Sequence, residues 1–158
     1  MNKTLIIIRG VPGSGKSTLA NSIMNECKKL GMTAGHYEAD MHFMKNGVYQ
    51  FNGSELPIAH KECFDNACLS MQENDVTIVS NTFVFTKHMK DYIKYACSLN
   101  LRVVVIRCMT DDKVDWCNVH NVPEDVLAHM RNDIEPFGNE LEVINGKFNM
   151  SMLMGSMN

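Results

Sequence analysis

The chain has no excess of positive charge: 15 Lys and Arg stand against 18 Asp and Glu, giving a formal net charge of -3. Proteins that coat nucleic acid by neutralising phosphates are usually basic, so bulk nucleic-acid binding is excluded and at most a local basic patch remains. Paired cysteines are also missing. The six cysteines, at 27, 63, 68, 97, 108 and 117, form no CxxC pair and no repeated spacing. That excludes a disulfide framework and suits buried thiols in a reducing cytoplasm. No apolar run approaches the ~20 residues that span a bilayer. Met1-Asn2-Lys3 leads directly into the apolar Leu5–Ile8, so neither a membrane span nor a leader is expected. There is no internal repeat and no dividing linker. The 158 residues are therefore read as one domain over 1–148, with a Met-rich tail over 149–158 that is expected to fray.

What is present is an alternation of strand and helix signals. Leu5–Ile8 is a short, wholly apolar run and reads as a buried parallel strand. Leu19, Ile23, Cys27 and Leu30 recur at helical spacing and stop at Gly31. Thr33–Ala39 is a second strand ending at Asp40, Val76–Ser80 a third, Arg102–Cys108 a fourth and Leu141–Ile144 a last. Helices are expected from Pro57, from a cap at Thr86, over Asp111–Val119, and from Pro123 to before Pro136. Between Asp40 and Leu56 the periodicity is lost, and Asn46-Gly47 between Phe43 and Tyr49 signals a hairpin. The fold class is α/β: a three-layer sandwich around a mainly parallel sheet of about five strands, with a helical lid at about 111–135.

The stretch GVPGSGKST, Gly10 to Thr18, fits G-x-x-x-x-G-K-[ST] in full and lies between an apolar strand and an amphipathic helix. Gly10, Gly13 and Gly15 let the backbone wrap phosphate oxygens. Successive N–H groups, with Ser14 among them, point inward, and the helix that follows adds its positive end. Lys16 reaches the outer phosphates of ATP, Ser17 holds Mg²⁺ and Thr18 adds a contact. Two signals are absent. The third strand, TIVSN, ends in Asn81 where a Walker-B strand would end in Asp, and there is no NKxD guanine motif. Both absences favour a compact phosphotransferase over a motor or switch.

GVPGSGKST, a strand ending in Asp40, VTIVSNT and the NVPEDVL helix occur in that order, together with FMKNGVYQF, LPIAH and SNTF. Over roughly residues 3 to 137 the chain resembles the kinase domain of bacteriophage-type polynucleotide 5′-kinases and their small AAA-like relatives. The resemblance implies a P-loop kinase fold and transfer of the ATP γ-phosphate to a 5′-hydroxyl, with Asp40 as general base. A carboxylate that orients an alcohol and takes its proton suits such chemistry in its own right. The other reading of Asp40 is a cap or loop residue. Three positions depart from the family pattern: Phe43 where an arginine grips the acceptor's phosphate, Asn81 where an Asp stands, and Cys117 where a lid arginine precedes Asn118. Arg131 is the candidate replacement lid cation, against a solvated helix arginine. Nucleoside, nucleotide or small-metabolite acceptors stay open, as does a non-catalytic nucleotide-binding module.

Several further residues carry alternatives. Lys87, Lys90 and Lys94 share a helical face that either tracks a nucleic acid or is simply solvated. Arg9 and Arg107, at strand ends, either steer phosphate or pair structurally. Phe43, Tyr49 and Phe51 either stack on a base or pack within the loop. His60 with Cys63, and Cys117 with His120, lack the further ligands a zinc site needs. Trp116 is read as packing.

Overall fold

The structure, a computed structural model, describes residues 2–111 and 121–154. The expected helix over Asp111–Val119 lies almost wholly outside them, as do Trp116, Cys117, Asn118, His120 and the last residues of the tail.

The first strand, β1 (Thr4–Arg9), is buried at every position. It pairs in parallel with β5 (Val76–Ser80) on one side and β6 (Arg102–Met109) on the other. Strand β2 (Ala34–Tyr37) adds to β5, and β7 (Leu141–Ile144) to β6, both in parallel. The five-stranded order is β2-β5-β1-β6-β7. Successive side chains of β1 point to opposite faces, so a wholly apolar strand needs cover on both. Leu5 and Ile7 join a core with α2 (Leu56–Glu73) and α3 (Lys90–Ser98), through Ala59, Ala67, Met71, Tyr92 and Ala96. Ile6 and Ile8 join the opposite core with α1 (Lys16–Lys29), through Leu19, Ala20, Ile23 and Cys27. This is the three-layer α/β sandwich expected.

The Asp40–Leu56 excursion has its own structure. Ala39–Phe43 forms a 3₁₀ turn, so Asp40 lies just past the strand rather than at its end. Met44–Lys45 (β3) and Val48–Tyr49 (β4) form the antiparallel hairpin. Its turn residues, Asn46 and Gly47, have φ of 51° and 77°, the two positive angles that a type I′ turn demands.

Two local expectations change. Thr86 does not cap α3. A 3₁₀ turn over Thr86–Met89 precedes that helix, and both the amide and hydroxyl of Thr86 donate to Glu135, 49 residues away. The described part of the tail, expected to fray, packs on the domain through Leu153. Phe148, Met150 and Leu153 pack on the α1-side core, and Leu153 O accepts from Arg102 Nη2 at 2.8 Å. A four-residue turn, α5 (Ser151–Met154), ends the described chain. Among the described residues no helix is long and apolar enough to cross a membrane.

Candidate active site

The phosphate loop sits between β1 and α1, where the parallel register delivers it to the carboxyl edge of the sheet. Gly10 has φ 151°, and a Cβ there would lie 2.5 Å from Ser14 Oγ and 2.6 Å from the carbonyl oxygen of Cys108 on β6. Gly13 and Gly15 have φ of 79° and 90°. The glycines are thus demanded by backbone shape and by close approach. Ser14 Oγ is buried and has no hydrogen-bond partner among the described residues. An orphaned buried hydroxyl is costly, and an anionic oxygen bound at the loop would satisfy it.

Lys16 folds back so that its ammonium donates to Val11 O at 3.0 Å. Burial holds its pKa down at about 8, although Cys108, Glu38 and Asp40 all pull it upward. An added anion in the loop would compensate that desolvation. Ser17 and Thr18 are exposed at the start of α1. The donor set therefore fits a nucleotide phosphate and a hard cation: glycine-shaped backbone, one ammonium, an unpaired hydroxyl and the Ser17 hydroxyl.

Facing the loop is the turn after β2. Ser17 Oγ donates to Glu38 Oε2 at 3.0 Å, and Ser80 Oγ donates to the same oxygen at 3.0 Å. His36 Nε2 lies 2.6 Å from Ser80 Oγ. The one Ser80 proton goes to Glu38, so His36 must supply the hydrogen of that contact from Nε2. Asp40, half-buried, accepts from the Tyr49 hydroxyl at 3.2 Å. Burial, with Asp40 second, pushes that phenol up to about 12, so it stays a donor. The hairpin thus orients the candidate base.

Asn81 has a structural role. Its Oδ1 accepts from Ala39 N at 2.9 Å and its Nδ2 donates to Cys63 Sγ at 3.7 Å. An aspartate could accept from the amide but could not donate to the sulfur. Asn81 therefore pins the Glu38–Asp40 turn to the end of β5 without placing a charge there.

The remaining candidates divide. Phe43 is fully buried, with Phe51 at 5.1 Å and Tyr49 at 6.2 Å between ring centroids, so loop packing holds for it. His42 donates to Glu62 and Glu55, each at 2.7 Å, and those bonds raise its pKa, Glu62 first. Lys45 also pairs with Glu55. Both basic side chains of this loop are thus committed to acids. Arg9 is a correction to phosphate steering. It is fully buried and donates to Phe83 O, Val84 O, Glu135 O and Glu140 Oε2. Arg107 also faces Glu140, at 3.8 Å. Arg131, on α4 (Glu124–Asp133), is exposed and paired with Glu124 at 2.7 Å on its own helix. Lys87, Lys90 and Lys94 are exposed, as a solvated face would be. No group of three or more potential metal-ligating side chains is present among the described residues, around His60 and Cys63 included.

Glu38 was missed in the sequence. It is one acid beside a more conspicuous one, and only the β2–β5 register, with Tyr37 opposite Val79, sets it next to Ser80.

Comparison with known proteins agrees with this architecture. An uncharacterized protein of Pasteurella multocida (strain Pm70) is 33% identical over 138 residues, 81% of this chain and 74% of that protein. Human NEDD4-binding protein 2 is 27% identical over 140 residues, 84% of this chain but only 8% of that protein. Among solved structures, Mycobacterium tuberculosis APS kinase matches with a TM-score of 0.63 at 14% identity, covering 99% of this chain and 95% of the other. A Chloroflexus aurantiacus protein provisionally assigned as a kinase matches with a TM-score of 0.65 at 16% identity, covering 99% and 94%. These likenesses give the fold as that of P-loop kinases. The sequence model of the AAA domain family matches residues 5–115, and the chain belongs to that family.

Proposed function

We propose that this protein is an ATP-dependent phosphotransferase that moves the γ-phosphate to a hydroxyl, with a polynucleotide 5′-hydroxyl as the first acceptor to test. The observation that carries the reading is the pairing of a full phosphate loop with a buttressed carboxylate. Asp40, oriented by Tyr49, lies close enough to Lys16 to pull on its pKa.

In this reading the loop amides and Ser14 hold the phosphates, Thr18 adds a contact, and Lys16 neutralises charge that develops as the β,γ bridge opens. Ser17 would hold Mg²⁺, which would supply further charge neutralisation. Asp40 aligns the acceptor hydroxyl and takes its proton as the new oxygen–phosphorus bond forms and ADP leaves. Arg131 would exchange Glu124 for the γ-phosphate and act from the lid. Most of the acceleration comes from positioning and electrostatics, because this transfer needs little covalent help.

A second reading takes a nucleotide, nucleoside or small metabolite as acceptor. Phe43 favours it: a fully buried phenylalanine stands where the polynucleotide kinases place a phosphate-gripping arginine. The likeness to APS kinase, solved with AMPPNP and APS, points the same way.

The test is transfer from γ-labelled ATP to 5′-hydroxyl DNA, 5′-hydroxyl RNA and a panel of nucleosides and nucleotides. Asp40→Asn is run alongside and is expected to lose about 10²–10⁴-fold in transfer while still binding ATP. Transfer to monomers alone selects the second reading. ATP binding without transfer to any acceptor would leave a nucleotide-binding module, and full activity in Asp40→Asn would remove the base assignment.

A further inference from the structure

A phosphate loop that works with a divalent cation needs negative charge on the metal side, to orient the ion's water shell. Strand β5 ends at Ser80 and Asn81 follows it, and both are neutral. Asn81 is moreover committed to Ala39 N and Cys63. The carboxylate that does stand at this edge comes from the neighbouring strand. Glu38 receives hydrogen bonds from Ser17 and Ser80 on Oε2, while no hydrogen bond occupies Oε1 among the described residues.

The chemistry of the Ser17 hydroxyl sharpens the point. It has one proton and two lone pairs. Donating the proton to Glu38 fixes the rotor and leaves a lone pair for a cation. His36 and Ser80 then hold the carboxylate in place from behind. Asp40, two residues on and bonded to Tyr49, stays on the acceptor side. The turn therefore offers two acids with separate tasks.

We propose that Glu38 is the metal-positioning acid of this site, supplied from the end of β2 in place of the missing acid at the end of β5. The proposal rests on the kinase reading above. In this role Glu38 would orient the cation through its water shell and the Ser17 hydroxyl, and Asp40, not Glu38, would take the acceptor's proton.

The experiment is a calorimetric titration of a non-hydrolysable ATP analogue into wild type and Glu38→Gln, in EDTA and across a range of free Mg²⁺. Glutamine keeps an oxygen for Ser17 and Ser80 but not the charge. In EDTA the variant is expected to bind the analogue at least as tightly as wild type, because a negative charge beside the phosphates has gone. With Mg²⁺ the order reverses, and the half-saturating Mg²⁺ concentration rises about 10-fold or more, the usual cost of a lost outer-shell partner. Glu38→Asp, which keeps the charge on a shorter stem, is expected to fall between the two. A Mg²⁺ dependence in Glu38→Gln equal to wild type overturns the proposal alone. So does a uniform loss of analogue binding with and without Mg²⁺ that follows a fall in melting temperature, since a purely structural role would produce it. Wild type that shows no Mg²⁺-dependent analogue binding overturns the kinase reading together with it.

Discussion

Replacing Arg9 by methionine should cost a large fraction of the folding free energy, and the structure says why. The guanidinium is fully buried at the end of β1, directly before the phosphate loop. Its Nε and Nη2 donate to Phe83 O at 3.1 and 2.7 Å, Nη2 reaches Val84 O at 3.2 Å, and Nη1 donates to Glu135 O at 2.6 Å. Nη1 also pairs with Glu140 at 3.1 Å, and that carboxylate is only 7% exposed. Methionine fills similar volume but leaves Glu140 with the more distant Arg107 alone, and leaves the Phe83 and Glu135 carbonyls without this donor, while Val84 O keeps Glu135 N at 2.9 Å. Removing one partner of a buried ion pair costs about 3–5 kcal/mol, against a total stability of about 5–15 kcal/mol for a domain.

The assay is equilibrium unfolding in urea. With a slope of about 2 kcal/mol per molar, Arg9→Met should lower the midpoint by about 1.5–2.5 M. Glu140→Gln in the same chain should recover part of the loss, because the unpaired charge is removed while the orphaned carbonyls stay, at about 1 kcal/mol each. Arg9→Lys should fall between, keeping the charge pair but not the planar fork. A loss under about 1 kcal/mol in Arg9→Met would refute the reasoning. No recovery in the double variant would refute the unpaired-charge part of it.

Two other outcomes follow from the same structure. Lys16 titrates at about 8 in the fold against an ordinary 10.5, so the unfolded chain binds the extra proton between those values. Its contribution to stability therefore rises with pH across that window, while ATP affinity falls as the ammonium is lost; unfolding and nucleotide titrations from pH 7 to pH 10 check both signs, and affinity flat across the window would refute the assignment. Leu153→Ala should cost about 2–4 kcal/mol, read from thermal unfolding, because Leu153 is 4% exposed against the α1-side core; a loss near zero would mean that the tail does not dock.

Sheet and helices were legible because their signals are local. Leu5–Ile8, Val76–Ser80 and Arg102–Cys108 are uninterrupted enough to need burial on two faces, and Asn46-Gly47 carries its turn in two residues. What was not legible depends on distant partners. Thr86 reads as a cap until Glu135 takes both its amide and its hydroxyl. Arg9 reads equally as a phosphate ligand until Phe83, Glu135 and Glu140 surround it. The methionines of the tail say nothing of Arg102, whose guanidinium meets the Leu153 carbonyl 51 residues away.

The candidate site follows the same division. Its phosphate half is a contiguous motif and was read whole. Its acid half is assembled across strands, and the departures in it make sense only together. Asn81 carries no negative charge and meets the Cys63 sulfur as a donor, which an aspartate could not do. The same side chain accepts from Ala39 N, and so fixes the backbone between Glu38 and Asp40. With that backbone fixed, Glu38 meets Ser17 and Ser80 while Asp40 meets Tyr49. An aspartate at 81 would set a third carboxylate against the turn that carries Glu38 and Asp40, and neighbouring like charges oppose ionisation of one another. A neutral residue at 81 and a glutamate at 38 are thus two parts of one arrangement, in which the carboxylate beside Ser17 and Ser80 follows β2 and not β5.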